Sequence, residues 1–247
     1  MKVGIIIPTY QEQDNIKKIK EIFSKLKNIN FFFCFIDGSY SNDTSKEIKK
    51  NFKKNFKIIR QKKQKIGYFK VSRRCEASLM GFKWIIKNKN VDIITDMDAD
   101  LSSDPKDILK AIKIYKNNNS DLIIGSKYLL KSRVIKRKII RILCSKIYTS
   151  VCRVLISNTI SDYSAGFRFY SPNSLKYLIL KKPRYKSPAQ HLENLLFYYE
   201  NNLKISEFPA RYTDTDENSK SIPLVHIFIF VYQLSNILIR YYFRKLK

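Results

Sequence analysis

The stretch that decides the fold is Val91-Asp92-Ile93-Ile94-Thr95-Asp96-Met97-Asp98-Ala99-Asp100. Its first half is apolar and predicts a buried strand over residues 91–95, and its second half places aspartates in alternation at the end of that strand. Carboxylates this close together repel one another and are costly to remove from water, so a positive partner is expected between them. A hard divalent cation that carries a phosphate on its far side is one candidate. The other interpretation is a strand end followed by a helix start, since Ser103-Asp104-Pro105 is a favourable helix N-terminus.

Strand and helix signals alternate around this stretch. Strands are predicted at residues 3–7, 31–36, 57–60, 91–95 and 121–125, with helices at 15–26, 43–52, 75–87 and 107–116. Such alternation predicts the α/β class, with a mostly parallel sheet covered by helices on both faces. Ligands of such sheets bind at the carboxyl ends of the strands. The polar clusters at 8–12, 37–39, 96–100 and 126–127 should therefore meet at one edge of the sheet.

The composition indicates a large and strongly basic globular chain. Its 247 residues are 44% hydrophobic, enough for one sizeable α/β domain or a domain with an appendage. Lys and Arg number 48 against 21 Asp and Glu, a formal charge of +27, which predicts an anionic partner unless the excess is a compositional drift toward lysine. The two histidines, His191 and His226, are too far apart in sequence to predict a histidine-rich zinc site.

The second half of the chain holds two segments that suit a membrane surface. Residues 131–156 mix Lys and Arg with Val, Ile and Leu, and predict one or two basic amphipathic helices that either dock on anionic headgroups or pack on the domain. Residues 223–243 are the most apolar stretch, close to the roughly 20 residues that span a bilayer. Gln233, Ser235 and Asn236 interrupt it. A helix lying in the membrane plane, a spanning helix and a helix packed on protein all remain open.

Five short segments occur in an order that is typical of one family. They are residues 5–12 (IIIPTYQE), 36–39 (IDGS), 96–101 (DMDADL), 161–168 (SDYSAGFR) and 207–209 (EFP), with Ser219-Lys220 downstream. Together they resemble the family 2 inverting glycosyltransferases with a GT-A fold, most of all those that transfer mannose or glucose to dolichyl or polyprenyl phosphate. The resemblance implies a Rossmann-like, mostly parallel sheet flanked by helices. It also implies a catalytic domain over residues 1–222, with interface helices at 131–156, and an apolar membrane-associated helix over 223–247.

The first two segments correspond to the part of the family that holds the nucleoside of the sugar donor. The resemblance places Pro8, Tyr10 and Glu12 around the base and ribose, where an aromatic ring can stack and a carboxylate can accept hydrogen bonds from hydroxyls. Asp37 lies in the motif that contacts the nucleoside. The family usually has two consecutive aspartates there, and Ile36 occupies the first position in this chain.

The acidic segment matches the metal motif of the family. The resemblance assigns Asp98 and Asp100 to Mg²⁺ or Mn²⁺, which they would hold together with diphosphate oxygens, and it makes Asp100 a catalytic residue. Ser102 is a further candidate ligand. Asp96 is expected to support the end of the strand instead.

The remaining predicted site residues would contact the phosphate groups of the acceptor and of the donor. An acceptor phosphate is already ionised, so cations that orient it can suffice, and Lys127 and Arg168 stand at the matching positions. Asp162 is expected to orient Arg168 or the metal region, or to cap a turn. Lys220 is expected to reach the donor diphosphate. Arg211 is the candidate to replace an arginine that relatives carry before their Ser-Lys pair and that residues 214–220 lack.

The resemblance implies a metal-dependent transfer of mannose from GDP-mannose to a polyprenyl or dolichyl phosphate, at the cytoplasmic face of a membrane. A UDP-sugar donor such as UDP-glucose, with polyprenyl phosphate or a glycan hydroxyl as acceptor, is the alternative. A third reading is an inactive, basic GT-A scaffold that binds anions or membranes. The expected partners are the anionic membrane surface and, as an open question, small membrane subunits, but no nucleic acid. The chain departs from its relatives at Arg73-Arg74, where they have a glycine-rich start of a helix.

Overall fold

A computed structural model describes residues 1–62, 73–182, 184, 189–214 and 224–245, with the side chains of 224–230 and 244–245 left out. The main sheet contains β1 (Lys2–Thr9), β2 (Asn30–Asp37), β3 (Phe56–Arg60), β4 (Ile93–Asp96), β5 (Leu122–Ser126), β7 (Arg168–Tyr170) and β8 (Ile205–Pro209). A small second sheet pairs β6 (Arg133–Ile135) with β9 (Arg211–Thr213). The helices are α1 (Gln13–Ser24), α2 (Asp43–Asn51), α3 (Arg74–Asn88), α4 (Ile108–Asn118), α5 (Ile139–Leu155), α6 (Pro172–Leu180), α7 (Gln190–Glu200) and α8 (Leu224–Lys245).

The seven strands stand in the order β3-β2-β1-β4-β7-β5-β8. All neighbouring pairs are parallel except those of β7, which runs antiparallel between β4 and β5. The predicted α/β class and mostly parallel sheet are therefore confirmed. The chain order reverses beside β1, which has β2 on one side and β4 on the other, and such a switch point opens a crevice at the carboxyl ends of the strands.

Each face of the sheet is covered by its own hydrophobic core. Successive residues of a strand point to opposite faces, so Ile5 packs in the cluster with α1 and α4, whereas Ile6 packs in the cluster with α3 and α7. Helix α3 crosses β1 very closely at Gly81, where a Cβ atom would lie 2.5 Å from a methyl group of Ile6. This close approach places the N-terminus of α3, with Arg74 as its first residue, near the end of β4.

The prediction of helices throughout residues 131–156 is wrong for the first part of that segment. Residues 133–135 form β6, because they pair in parallel with residues 211–213 of β9, a partner far away in sequence. The rest is the predicted helix, α5. Its outward face carries a stripe of exposed apolar side chains, which we call the α5 stripe: Ile139, Ile140, Leu143, Ile147, Val151 and Val154.

Helix α8 packs against α7, and three of its described side chains, over residues 231–243, are buried. These are Ile237, Leu238 and Tyr241. The hydroxyl of Tyr242 donates a hydrogen bond to the carbonyl of Leu155, which ties the end of α8 to the end of α5. Across the part of the chain that the structure describes, no helix is both long enough and apolar enough to cross a membrane.

Candidate functional site

A cavity of about 180 Å³ opens at the carboxyl ends of β4 and β5. Its lining combines the acidic end of β4 with basic side chains from four other parts of the chain. The charged lining residues are Arg74, Asp96, Asp98, Lys127, Arg137 and Arg211, and His191 and Tyr212 complete the polar wall. The structure thus brings Asp98, Lys127 and Arg211 together, although they come from segments far apart in sequence.

The acidic loop after β4 is held in shape by its own backbone. Leu101 adopts a left-handed conformation with φ 61°, which turns the chain sharply after Asp100. The Asp100 carboxylate accepts a hydrogen bond of 2.9 Å from the backbone N–H of Ser102. Ser102 is buried, and its carbonyl accepts from the N–H of Thr213 at 2.8 Å. The loop is therefore anchored to β9.

Arg74 is the partner of the first two aspartates. Its guanidinium donates to Asp96 at 3.0 Å and to Asp98 at 2.5 Å. Asp96 is almost fully buried and also accepts from the hydroxyl of Ser78 at 2.8 Å, which agrees with its expected role in supporting the strand end. Sequence reasoning noted Arg74 as a departure from the family and did not predict this pairing.

The carboxylates around the acidic loop suit a hard cation. Burial raises the pKa of Glu12, a hydrogen bond from Asn15 lowers it, and the nearby charges of Asp100 and Asp98 raise it further. Glu12 therefore lies close enough to the acidic loop to be affected by its carboxylates. No cluster of three or more His, Cys, Asp or Glu side chains suited to a metal occurs among residues 1–62, 73–182, 184, 189–214 and 231–243. Asp98 and Asp100 supply carboxylate oxygens, the ligand type that hard divalent cations prefer.

The segments after β1 and β2 each present one aromatic ring at the surface. Tyr10 is 48% exposed and meets the ring of Tyr40 edge to face, with 5.8 Å between centroids. The backbone N–H of Glu12 donates to Thr44 at 3.1 Å, and Pro8 lies opposite Ile36 in the β1–β2 register. An exposed aromatic pair can stack on a base, so the geometry is compatible with the predicted nucleoside contacts.

Asp37 is fully buried, and protein groups occupy its carboxylate. It accepts from the N–H of Ser39 at 3.0 Å and the hydroxyl of Ser45 at 2.5 Å, and it forms an ion pair with Arg60. Burial alone would raise the pKa of Asp37, but hydrogen bonds from Ser39, Ser45 and Arg60 outweigh burial and lower it. In this structure Asp37 organises the loop after β2.

Lys127 forms a buried ion pair with Asp162. The Lys127 ammonium and backbone N–H both lie 2.9 Å from one carboxylate oxygen of Asp162. The other oxygen accepts from the N–H and hydroxyl of Ser164. The lysine side chain is 8% exposed and the aspartate 0%. The bonds from Ser164, two residues further on, agree with the turn-capping alternative for Asp162, and an orienting effect on Arg168 or on the metal region stays a prediction.

Arg168 lies in the protein interior with a fully buried side chain. Its guanidinium donates to the carbonyls of Ala165 at 2.9 Å, His191 at 2.6 Å and Tyr163 at 3.4 Å. Those bonds hold the 163–166 loop against the start of α7. The predicted contact of Arg168 with an acceptor phosphate stays a prediction, and the guanidinium would have to turn away from these carbonyls to make it.

Arg211 lies at the start of β9 beside the acidic loop. Its backbone N–H donates to Asp107 at 2.6 Å, and its guanidinium lies 3.5 Å from a carboxylate oxygen of Asp104. The side chain is about half exposed at the rim of the cavity. Lys220 lies outside the described residues, so its assignment to the diphosphate stays a prediction.

Arg137, Tyr212 and His191 are among the lining residues that the sequence-based site did not include. Arg137 lies in the basic run 136–138, where no local signal distinguishes it from its neighbours. Tyr212 lies within 6 Å of both Lys127 and Arg137. Burial lowers the pKa of His191 well below its ordinary value, and the charges of Arg168, Arg74 and Lys127 lower it further, so this imidazole is neutral at pH 7.

Comparison with known sequences identifies relatives of this chain. The profile of the family described as Glycosyl transferase family 2 matches residues 4–178. The chain is 32% identical over 174 residues to a dolichol-phosphate mannosyltransferase of Pyrococcus furiosus, covering 68% of this chain and 45% of that protein. It is 26% identical over 140 residues to the polyprenol monophosphomannose synthase of Mycolicibacterium smegmatis, covering 57% and 52%. The chain thus spans about half the length of these curated relatives.

Solved structures with a similar fold share far less sequence. A glucosyl-3-phosphoglycerate synthase of Mycobacterium tuberculosis, crystallised with Mn²⁺, UDP and glucosyl-3-phosphoglycerate, superposes with a TM-score of 0.62 at 12% identity. That match covers 97% of this chain and 79% of the other. Residues 1–349 of S. aureus TarS give a TM-score of 0.55 at 15% identity, covering 86% and 60%. At such identities the likeness concerns the fold, which is the GT-A arrangement.

Proposed function

Because this chain belongs to glycosyl transferase family 2, we propose that it transfers a hexose from a nucleotide sugar to a polyprenyl or dolichyl phosphate at the cytoplasmic face of a membrane. Mannose from GDP-mannose is the first donor to test, since the names of two curated relatives combine mannose with dolichol phosphate or a polyprenol. UDP-glucose is the second, since UDP is bound in the crystal of a structural neighbour.

The observation that carries this proposal is that one cavity joins the acidic end of β4 to basic side chains from the ends of β5 and β6. Asp98 stands on the side of β4, and Lys127 and Arg137 stand on the side of β5 and β6. A reaction between a metal-bound diphosphate and a second phosphate needs both sides within one small volume.

The proposed chemistry is a single displacement at the anomeric carbon of the donor sugar. An acceptor phosphate oxygen forms the new C–O bond while the bond from that carbon to the diphosphate oxygen breaks. A phosphate monoester is ionised at neutral pH, so the protein must orient it and balance its charge, without a base. Lys127 lines the cavity and, although its ammonium is paired with Asp162, would add to the positive potential that this phosphate meets. Asp98 and Asp100 would hold Mg²⁺ or Mn²⁺, which when bound offsets the charge of the departing nucleoside diphosphate.

Other predicted residues would serve the nucleotide-sugar donor. Pro8, Tyr10 and Glu12 would contact the base and ribose, and the exposed rings of Tyr10 and Tyr40 support this assignment. Asp37 would contribute to donor binding indirectly, because its hydrogen bonds organise the loop after β2. Lys220 would reach the diphosphate.

The α5 stripe supports a membrane-bound acceptor. The stripe contains six large apolar side chains, exposed by 40% to 85%, on one basic helix. Exposed apolar patches of this kind mark interaction surfaces, and basic residues beside them favour anionic lipid headgroups. In this proposal the enzyme is held at the bilayer peripherally, with α5 in contact with the headgroups.

A transfer assay tests the proposed reaction. Purified protein is incubated with radiolabelled GDP-mannose or UDP-glucose, with Mn²⁺, Mg²⁺ or EDTA, and with either a polyprenyl phosphate or the matching polyprenol. We expect label in the phosphate and none in the alcohol, with a loss of transfer in EDTA. Transfer to a glycan hydroxyl, or to the alcohol, would replace the acceptor in the proposal. No transfer, and no shift of the melting temperature with either nucleotide sugar, would favour the inactive scaffold.

Vesicle flotation tests the membrane surface. We expect the protein to float with vesicles that contain anionic lipid, and the double substitution Leu143→Ser with Ile147→Ser to weaken this. Leu109→Ser is the matched control, because Leu109 is 45% exposed on α4, away from the α5 stripe. Equal flotation of both variants would contradict the assignment. Flotation only after co-expression with a small membrane subunit would mean that this subunit covers the stripe.

A further inference from the structure

We propose that Arg137 binds the phosphate group of the acceptor and makes the site selective for phosphate monoesters. This inference rests on the proposed function and names the residue that recognises its acceptor. Arg137 lies between β6 and α5, and its side chain lines the cavity.

The first argument is the balance of charge around the cavity. Three of its four basic lining side chains have carboxylate partners. These pairs are Lys127 with Asp162, Arg74 with Asp96 and Asp98, and Arg211 with Asp104. Within the described part of the chain Arg137 has none. Its positive charge is therefore the one that a bound anion can neutralise without breaking an existing ion pair.

The second argument is an unused hydrogen-bond donor. The Nη1 atom of Arg137 is buried and has no acceptor among the described residues. A buried donor without a partner costs free energy, and a ligand that supplies the acceptor recovers it. The planar guanidinium can give two parallel hydrogen bonds to phosphate oxygens, which a hydroxyl group cannot accept in the same way.

The third argument is that Arg137 is held in place. Its guanidinium carbon lies 5.5 Å from the centre of the Tyr212 ring. Tyr212 is fixed in turn, since β9 pairs with β6 and with Ser103 of the acidic loop. A guanidinium that rests on an aromatic ring loses less freedom when it binds a ligand than one on a free chain.

The position of Arg137 points to the acceptor and not to the donor. Asp98, the proposed metal ligand, lines the cavity at the end of β4, where the donor diphosphate would bind. Arg137 precedes α5 directly, and the first residues of the α5 stripe, Ile139 and Ile140, are 76% and 64% exposed. A lipid phosphate that reaches the cavity from a membrane docked on this stripe arrives at Arg137 first.

The test compares Arg137→Gln with Arg133→Gln, a control that removes the same charge from an exposed residue of β6. Steady-state kinetics are measured with a short-chain, soluble polyprenyl phosphate. The donor is whichever nucleotide sugar supports transfer in the assay described under the proposed function. We expect Arg137→Gln to raise the KM for the acceptor about tenfold or more, the worth of a hydrogen bond between charged groups. The donor KM should stay unchanged, and Arg137→Lys should recover part of the loss. A raised donor KM alone, or equal values for both Gln variants, would overturn the proposal.

Direct binding separates this inference from the proposed function. Calorimetry is performed with the same soluble phosphate monoester and, for comparison, with inorganic phosphate, on the wild type and both Gln variants. Thermal unfolding confirms that each variant is folded. If the wild type transfers no sugar but binds the monoester in a way that depends on Arg137, the proposed function fails and the inference holds. If binding does not depend on Arg137, the inference fails, whether or not sugar is transferred.

Discussion

The end of β5 and the segment between β6 and α5 each place one basic side chain on the same cavity, in opposite surroundings. Lys127 is 8% exposed and shares its charge with the fully buried Asp162. Arg137 has a buried nitrogen without an acceptor among the residues that the structure describes, and its guanidinium rests on Tyr212. A charge that is already paired contributes mainly to the stability of the fold, because removing it leaves its partner buried without an opposite charge. A charge that lacks a partner contributes mainly to binding.

The largest effect expected from this contrast concerns stability. Replacing Lys127 by Met leaves the Asp162 charge buried without its cation, which should lower the free energy of unfolding by about 3–5 kcal/mol. Arg137→Met removes a donor that has no acceptor and should change stability by less than about 0.5 kcal/mol. Chemical denaturation of both variants measures the difference. Equal losses in the free energy of unfolding would contradict the view that Lys127 stabilises the fold and Arg137 serves binding.

Acid titration checks the same pair independently. Burial raises the pKa of Asp162, but the charge of Lys127 and hydrogen bonds from Ser164 and Lys127 outweigh it, so the net pKa lies below its ordinary value of 3.8. A lowered pKa means that the stabilisation is present above the unfolded-state pKa and is lost as the pH falls through the folded-state value. The wild type should therefore lose stability below about pH 4 more steeply than Lys127→Met.

The second prediction concerns the acidic side of the cavity. Asp100→Ala removes a proposed metal ligand and should reduce kcat by on the order of a hundredfold to a thousandfold, the scale of losing one electrostatic contact to the transition state. The fold should be kept, because the Asp100 carboxylate is only partly buried. Asp43→Ala is the control, since that carboxylate is 61% exposed on α2. Activity close to the wild-type value in Asp100→Ala would count against the metal role.

The third prediction concerns the arginine that bridges the aspartates. Arg74 competes with a cation for Asp98, so Arg74→Gln should tighten Mn²⁺ binding in the absence of nucleotide by roughly tenfold, the effect of one nearby charge. Electron paramagnetic resonance of free Mn²⁺ measures the affinity. Arg73→Gln is the matched control, because Arg73 forms an ion pair with Glu76 and not with the aspartates of the acidic loop. Weaker Mn²⁺ binding in Arg74→Gln would show that Arg74 supports the cation site.

The smallest effect is expected at Glu12. Its pKa is raised, chiefly by burial and then by Asp100 and Asp98, so its ionised form destabilises the metal-free fold above that raised pKa. Glu12→Gln should therefore increase the free energy of unfolding at pH 7 by less than about 1 kcal/mol. This destabilisation decreases as the pH drops through the folded-state pKa of Glu12, and it is absent below the unfolded-state pKa of 4.5. The free energies of unfolding of the wild type and Glu12→Gln should therefore converge below that pH. Glu21→Gln, on the exposed face of α1, should show no such convergence.

The contrast between the two basic residues also shows the limits of sequence reasoning. Lys127 could be predicted as a site residue because it follows a strand and matches a family motif. Arg137 could not, because it stands between two lysines and its surroundings depend on Tyr212, 75 positions later in the chain. The same holds for β6. Its local pattern is amphipathic and predicts a helix, whereas the strand depends on β9, which lies far away in sequence.

The sequence by itself determined the parallel sheet, its strand ends and the acidic motif, because apolar periodicity and alternating aspartates are local properties of the chain. It also determined the family. The tertiary structure decided how the charges are shared. Arg74 closes on Asp96 and Asp98 because α3 crosses β1 at Gly81, and Lys127 pairs with Asp162 because the 161–166 loop folds over the end of β5. Such pairings depend on distances between remote segments, which no local pattern records.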